Sequence, residues 1–309
     1  MTLITPEEVT HKVELRQSLA YAELSNINLE GAELSGGQFF SAYLRTANLS
    51  KARCQGTDFS RAVLIRANLS QGSFNAANFS KANLIQANCE GGIFREALFL
   101  KAKLAGTNFT RVEGSCADFT EGDLEEAKGE QINFTQSNFQ KANLVKTQFQ
   151  ESNFTQIILR QANCININWS GIILPDSNCQ GTDFTGGKLE KLNFENSSLV
   201  TAIFTKAQLT RIECRQAELE EATFQQAQLS DVDFTNSSLF GANFEGATLS
   251  KVNLTEVNLE GANLENTVWH NATFSDTAVA NAVFSNAQGL TADQKKYLKE
   301  NGALNVSKD

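Results

Sequence analysis

The side chains most able to do chemistry are few here, and their spacing does not favour it. The chain of 309 residues holds two histidines, His11 near the N-terminus and His270 beside Trp269. A histidine-based metal cluster or catalytic triad cannot be assembled from that pair on reasonable geometry. Adjacent carboxylates, as in Glu125-Glu126 and Glu220-Glu221, can serve general acid–base chemistry when one is desolvated, but in these polar stretches they read as solvated corners. No GxGxxG or GxxxxGK[ST] occurs to cradle a phosphate. The six cysteines, Cys54, Cys89, Cys116, Cys164, Cys179 and Cys214, include no CxxC pair. No catalytic, cofactor-binding or metal-binding residue is assigned, and the expectation is a non-enzyme without a cofactor.

The elements that carry these residues explain their arrangement. From Leu19 to Phe284 every fifth residue is large and apolar, 54 positions in one frame, with Gly114 and Gly129 the two exceptions. Period five matches neither a helix nor a strand. Two residues before each large one lies a small one, often alanine (Ala42, Ala62, Ala82, Ala102), and Asn or Asp commonly comes just before the large one. Ala47-Asn48-Leu49-Ser50-Lys51 and Ala82-Asn83-Leu84-Ile85-Gln86 are typical units. Five of the cysteines take the large apolar position, where a thiol acts as a small hydrophobe; Cys116 lies off it and is the thiol expected to react. The frame also generates matches to the glycosylation sequon, such as Asn48-Leu49-Ser50 and Asn108-Phe109-Thr110. Asparagines in such a repeat are expected to bond to corner backbone or to one another instead.

These units resemble the pentapeptide-repeat family, whose pattern is Ala, then Asp or Asn, then Leu or Phe, then two mostly polar residues. The resemblance covers about nine-tenths of the chain. It implies an all-β solenoid, a right-handed quadrilateral β-helix with four pentapeptides per coil. The residues support that coil length independently. The column from Ala22 to Ala282 in steps of 20 holds only Ala, Gly and Thr, whereas the column from Ala32 to Ala272 changes to larger filling from Val112 onward, through Ile132, Ile172, Leu192, Ile212, Val232 and Val252. A period of five alone cannot distinguish two walls. About 13 coils follow, and an inter-strand rise of about 4.8 Å gives a rod of roughly 65 Å.

Open ends are the weak points of such a stack, and both ends carry capping signals. Thr5-Pro6-Glu7-Glu8 and Thr291-Ala292-Asp293-Gln294 each read as a helix start with a capping box, and Gly302 reads as the stop of the second helix. The expected organisation is a helical cap over 1–16, the solenoid over 17–288 and a second helical cap over 289–309. Leu290, Tyr297, Leu298 and Leu304 are expected to cover the last coil. Neither a membrane-spanning run nor a leader is read in the sequence, and a cytoplasmic protein is expected.

Charge is uneven: residues 1–111 hold 12 basic and 9 acidic side chains, residues 112–309 hold 14 and 26. Direct nucleic-acid binding is disfavoured, because it needs a basic stripe. Arg61, Lys81 and Lys101 are 20 apart, so like charges stack from coil to coil, an arrangement able to meet an acidic surface. Ile65, Ile85, Val145 and Ile165 share an outward column, interrupted by Ala105 and Glu125, and form a candidate interface strip. Gly114 and Gly129 remove core side chains from two adjacent walls and mark a candidate hinge over 112–130.

Three functions follow from these features. The first is a rigid protein–protein interaction scaffold or regulator with an unidentified protein partner. The second comes from the resemblance. Some similar proteins protect or block DNA gyrase by occupying its DNA channel with an acidic rod, which makes DNA gyrase a candidate partner. The basic first third opposes that reading. The third, an enzyme or ligand-binding module, needs a pocket that a filled interior does not offer. Monomer and dimer both stay open.

Overall fold

The structure, a computed structural model, describes residues 4–307. Residues 1–3 and 308–309, assigned to the two caps from sequence, lie outside the described residues. The chain forms two compact units, Met1–Ile158 and Leu159–Asp309.

Both units are built from one local rule. The large residue of each pentapeptide points inward and the two residues after it form a corner. At the first corner the Ala22 N–H donates to the Leu19 carbonyl (3.1 Å), and Tyr21 between them has φ 60°. A positive φ at the second central residue is the mark of a type II turn. The same left-handed conformation recurs at every fifth residue, in glycine at Gly31 (φ 66°) but also in Thr46 and Lys81. That conformation is uncommon outside glycine. Here it is offset by hydrogen bonds to the next turn, such as Tyr21 N–H to the Phe40 carbonyl (3.0 Å) and Arg66 N–H to the Ile85 carbonyl (3.0 Å).

The first unit begins with α1 (Pro6–Glu14) and includes β1 (Lys128–Glu130) and β2 (Gln148–Gln150). The second contains β3 (Asn168–Ser170), β4 (Lys188–Glu190), β5 (Gln208–Glu213), β6 (Gln228–Asp233), β7 (Thr248–Asn253), β8 (Val268–His270) and α2 (Ala292–Glu300). Pairing is parallel with a 20-residue register, as in Lys128↔Gln148 in the first unit and Asn168↔Lys188 and Gln228↔Thr248 in the second. Strands mark two turns of the first unit and six of the second, a smaller count than the 13 coils expected. Elsewhere single residues keep the same register, as in Glu23↔Tyr43 and Asn263↔Val283. The reason is local: two corner residues and two inward ones leave one residue per side free to pair.

The strands appear where the corner changes. At Val112 the corner bond to the Phe109 carbonyl is intact (3.0 Å). At Ile132, one turn later, the N–H donates instead to Ser152 Oγ (3.0 Å), and the chain runs on as β1 before a bend. The larger filling read from Val112 onward therefore changes the backbone from Ile132, not from Val112. Branching alone does not set the change: Ser152 and Ala272 follow strands in the same way, while Val112, Ile157 and Val257 keep the local corner bond.

The interior is closed by its own side chains. Of the 52 large residues in the frame, all are buried except Phe274, which is half-buried against Trp269. In the first unit Phe39, Phe59, Phe79, Phe99, Phe119 and Phe139 stack with centroids 5.2, 5.1, 5.0, 4.6 and 4.4 Å apart. In the second, Phe184, Phe204, Phe224 and Phe244 stack at 4.9, 4.9 and 4.6 Å. Each such ring contributes about 2–3 kcal/mol by leaving water. Hydroxyls at the small positions satisfy carbonyls one turn back, as Thr57 Oγ1 does for Leu34 (2.8 Å) and Thr182 Oγ1 for Leu159 (2.8 Å).

Both helices have the expected capping boxes. Glu8 N–H donates to Thr5 Oγ1 (3.2 Å) and Thr5 N–H to Glu8 Oε2 (2.8 Å); Thr291 and Gln294 repeat the pair at 3.2 and 2.8 Å. Val9 and Val13 of α1 are buried. After α2 the chain passes Gly302 (φ 86°) and Leu304 bridges Val283, while Tyr297 Oη donates to the Thr277 carbonyl (3.0 Å). Leu290 and Leu298 are buried as expected, but Leu304 stays 44% exposed. Gly289 has to be glycine: a Cβ there would lie 2.1 Å from the Trp269 carbonyl oxygen.

Candidate interaction surface

One wall of the first unit brings most of the expected interface residues together. Its midline is Glu23, Tyr43, Val63, Asn83 and Lys103, each bridged to the next. Along one edge run Tyr21, Ser41, Arg61, Lys81 and Lys101; along the other, Arg45, Ile65, Arg66, Ile85 and Gln86. Ile65 and Ile85 are half-buried and line a surface groove of about 560 Å³ with Arg45, Thr46, Arg66 and Gln86. Corner geometry explains the half-burial, since the residue that starts a corner leans along the wall while the next one turns outward.

The stacked cations do not simply repel one another. Arg61 lies over the Phe40 ring (5.7 Å), a favourable cation–π arrangement, and Lys101 pairs with Glu121 (3.1 Å). Among the described residues Lys81 has no carboxylate within ion-pair distance, and neither do Arg45, Arg66 and Lys103. Arg66 Nε instead donates to Gln86 Oε1 (2.8 Å). The following turn reverses the sign with Glu121, Asp123, Glu125 and Glu126, of which Lys146 holds Glu125 (3.8 Å) and Glu126 (3.1 Å). Val145 is half-buried farther along this wall, beyond Ala105 and Glu125, and Ile165 belongs to the second unit. Arg45, Arg66, Tyr43 and Lys103 were missed in the sequence reading, although following the columns beside Ile65 in steps of 20 gives all four.

The two glycines are not gaps. A Cβ on Gly114 would meet Phe134 Cε1 at 2.7 Å, and one on Gly129 would meet Ile132 Cδ1 at 2.9 Å and the Phe109 backbone at 2.8 Å. Residues from the following turn or corner already fill the space expected to be empty.

The remaining candidates are arranged as structure. Cys54, Cys89, Cys164, Cys179 and Cys214 are buried free thiols, and Cys116 is exposed, its Sγ 3.6 Å from Gln136 Oε1. Burial pushes the Cys89 and Cys179 thiols up to about 12. Asn28, Asn48, Asn68, Asn88 and Asn108 form a ladder, each amide donating to the one before at 2.8, 3.2, 3.4 and 3.0 Å. Their oxygens also accept corner N–H groups, as Asn48 Oδ1 does from Ser50 (3.1 Å). Glu126 is exposed, but Glu220 is half-buried, with Oε2 shielded from water and without a hydrogen-bond partner among the described residues. Among the described residues no cluster of His, Cys, Asp or Glu is placed to hold a metal, and no helix is long and apolar enough to cross a membrane.

A second groove, in the second unit, is lined by Arg211, Arg215, Asp231, Asp233 and Lys251. Its arginines are largely neutralised: Arg211 pairs with Glu190, and Arg215 with Glu213 (2.9 Å) and Asp233 (3.6 Å).

The family described as Pentapeptide repeats matches residues 22–156, 158–212 and 217–288. No curated protein matches the chain. Among solved structures, the chain is similar to QnrB1, a plasmid-mediated fluoroquinolone resistance protein, at 14% identity over 74% of this chain and 95% of that one, TM-score 0.39. It is also similar to HetL, a pentapeptide repeat protein involved in heterocyst differentiation regulation from the cyanobacterium Nostoc sp. strain PCC 7120, at 23% identity over 90% and 96%, TM-score 0.19. Rfr23, a pentapeptide repeat protein from the cyanobacterium Cyanothece 51142, is 26% identical over 37% and 89%, TM-score 0.23.

Proposed function

We propose that this chain, which belongs to the pentapeptide-repeat family, is a non-enzymatic protein-binding scaffold whose docking face is the wall carrying Ile65 and Ile85. One observation carries the reading: apolar side chains sit in an outward groove beside Arg45 and Arg66, which among the described residues have no carboxylate within ion-pair distance. A solenoid whose interior is filled by its own side chains has its outward positions left for function. The six free thiols fit a reducing, cytoplasmic setting.

The experiment is affinity capture from lysate of the source organism, comparing the native chain with an Ile65→Asp, Ile85→Asp variant. A protein retained by the first and lost with the second supports the scaffold; equal retention by both opposes this docking face. Capture of DNA gyrase subunits would favour the acidic-mimic alternative, which has less support because the cationic wall would face the same channel as the acidic ones.

A further inference from the structure

The sign pattern of this wall names the chemistry of what it takes. Between the turn of Tyr43 and the turn of Lys103 it presents Arg45, Arg61, Arg66, Lys81, Lys101 and Lys103, all exposed, and one of the six, Lys101, is ion-paired within the fold. Glu23, at the start of the wall, is the single carboxylate on it before Glu121. Glu23 acts on Arg45 through its charge without an ion pair, and an excess of cations around a half-buried apolar floor favours a ligand that is both anionic and apolar. Three 20-residue steps at about 4.8 Å each make this stretch about 14 Å long, the reach of about four residues of extended chain.

We infer that the wall binds an extended acidic polypeptide segment, with an apolar side chain seated over Ile65 and Ile85 and its carboxylates on Arg45, Arg66 and Lys81. The inference rests on the scaffold reading and specifies its partner. A long polyanion fits less well: past Lys103 it meets Glu121, Asp123, Glu125 and Glu126 on the same wall, and the chain as a whole carries a net charge of −9. A short acidic segment ends before that row.

The test uses the full chain and three fluorescein-labelled probes at low salt, read by fluorescence anisotropy. They are a short glutamate peptide with a central isoleucine, its lysine counterpart, and an oligothymidylate of matching length. The acidic peptide should bind, and Arg66→Glu with Lys81→Glu should weaken it at least tenfold. Glutamate already occupies the same left-handed corner position at Glu121 and Glu126 (φ 54° and 58°), so the reversal leaves the backbone geometry intact. Lys206→Glu with Lys251→Glu, in the second unit, should leave binding unchanged. The inference is overturned if the lysine peptide binds as tightly, if the oligonucleotide binds more tightly, or if both reversals act equally. Loss of a captured protein by the Ile65→Asp, Ile85→Asp variant without acidic-peptide binding would overturn this inference while leaving the scaffold standing.

Discussion

The ring of Phe134 occupies the place of the side chain that Gly114 lacks: a Cβ built on Gly114 would lie 2.7 Å from Phe134 Cε1. The glycine is thus the partner of an oversized neighbour one turn away. Gly114→Ala should destabilise by about 1–3 kcal/mol, the usual cost of overpacking, and Phe134→Leu in the same chain should recover most of it. Urea denaturation of the two single variants and the double variant measures the coupling; additive losses would show that the two positions do not share space. With the space filled, amide exchange over 112–130 should be no faster than in adjoining turns of the first unit, and faster exchange would restore these glycines as a hinge.

Ser152 Oγ accepts the Ile132 N–H that the widened corner releases. Ser152→Ala leaves that buried donor without a partner, at a cost of about 1–3 kcal/mol. Thermal unfolding should show a lower Tm for Ser152→Ala than for an alanine at half-buried Ser115. Equal Tm values would mean that the bond does not support the corner.

The buried thiols predict both reactivity and a pH trend. At neutral pH in the folded protein, a thiol-specific reagent should label Cys116 and leave the other five unlabelled until denaturant is added. The thiols of Cys89 and Cys179 are raised from 9.0 to about 12 in the fold, so above pH 9 the unfolded chain has lost protons that the native one keeps. The sign follows: their contribution is fully present below pH 9 and is lost as pH rises toward 12. Cys89→Ala with Cys179→Ala should flatten the alkaline fall in Tm, and an unchanged slope would assign it to other groups.

The C-terminal segment closes the last turn through Leu304 against Val283, with the Phe284 N–H donating to the Leu304 carbonyl (2.9 Å). Removing 289–309 uncovers those backbone groups, and an uncovered parallel edge pairs with another chain. Sedimentation should show the truncated chain in larger, concentration-dependent species than the full one; identical sedimentation would show that the segment is not a plug.

The frame of large residues carried the family resemblance that implies the solenoid, the columns spaced by 20 supported its coil length, and Thr5–Glu8 and Thr291–Gln294 marked both helices through their capping pairs. What the sequence hid depends on side-chain direction across turns. Phe134 reaches back to Gly114, Arg61 leans over Phe40, and the corner opens at Ile132 rather than at Val112. None of these follows from residue type, since each depends on how a neighbour 20 or 21 residues away is placed. The proposed docking wall was half visible: Ile65, Ile85, Arg61, Lys81 and Lys101 stood out in their columns, while Arg45, in the Ile65 column, and Arg66, in the next, line the same groove and were passed over.

The most direct measurement is a scan of single aspartate substitutions, with binding to the captured partner measured for each: Ile65→Asp and Ile85→Asp on the proposed wall, Leu98→Asp elsewhere on the first unit, and Ile173→Asp and Phe240→Asp on the second. The account predicts at least tenfold weaker binding for Ile65→Asp and Ile85→Asp and native affinity for the other three, with all five folded by circular dichroism. Native affinity for Ile65→Asp and Ile85→Asp with a loss at Leu98, Ile173 or Phe240 would contradict it and place the docking face elsewhere.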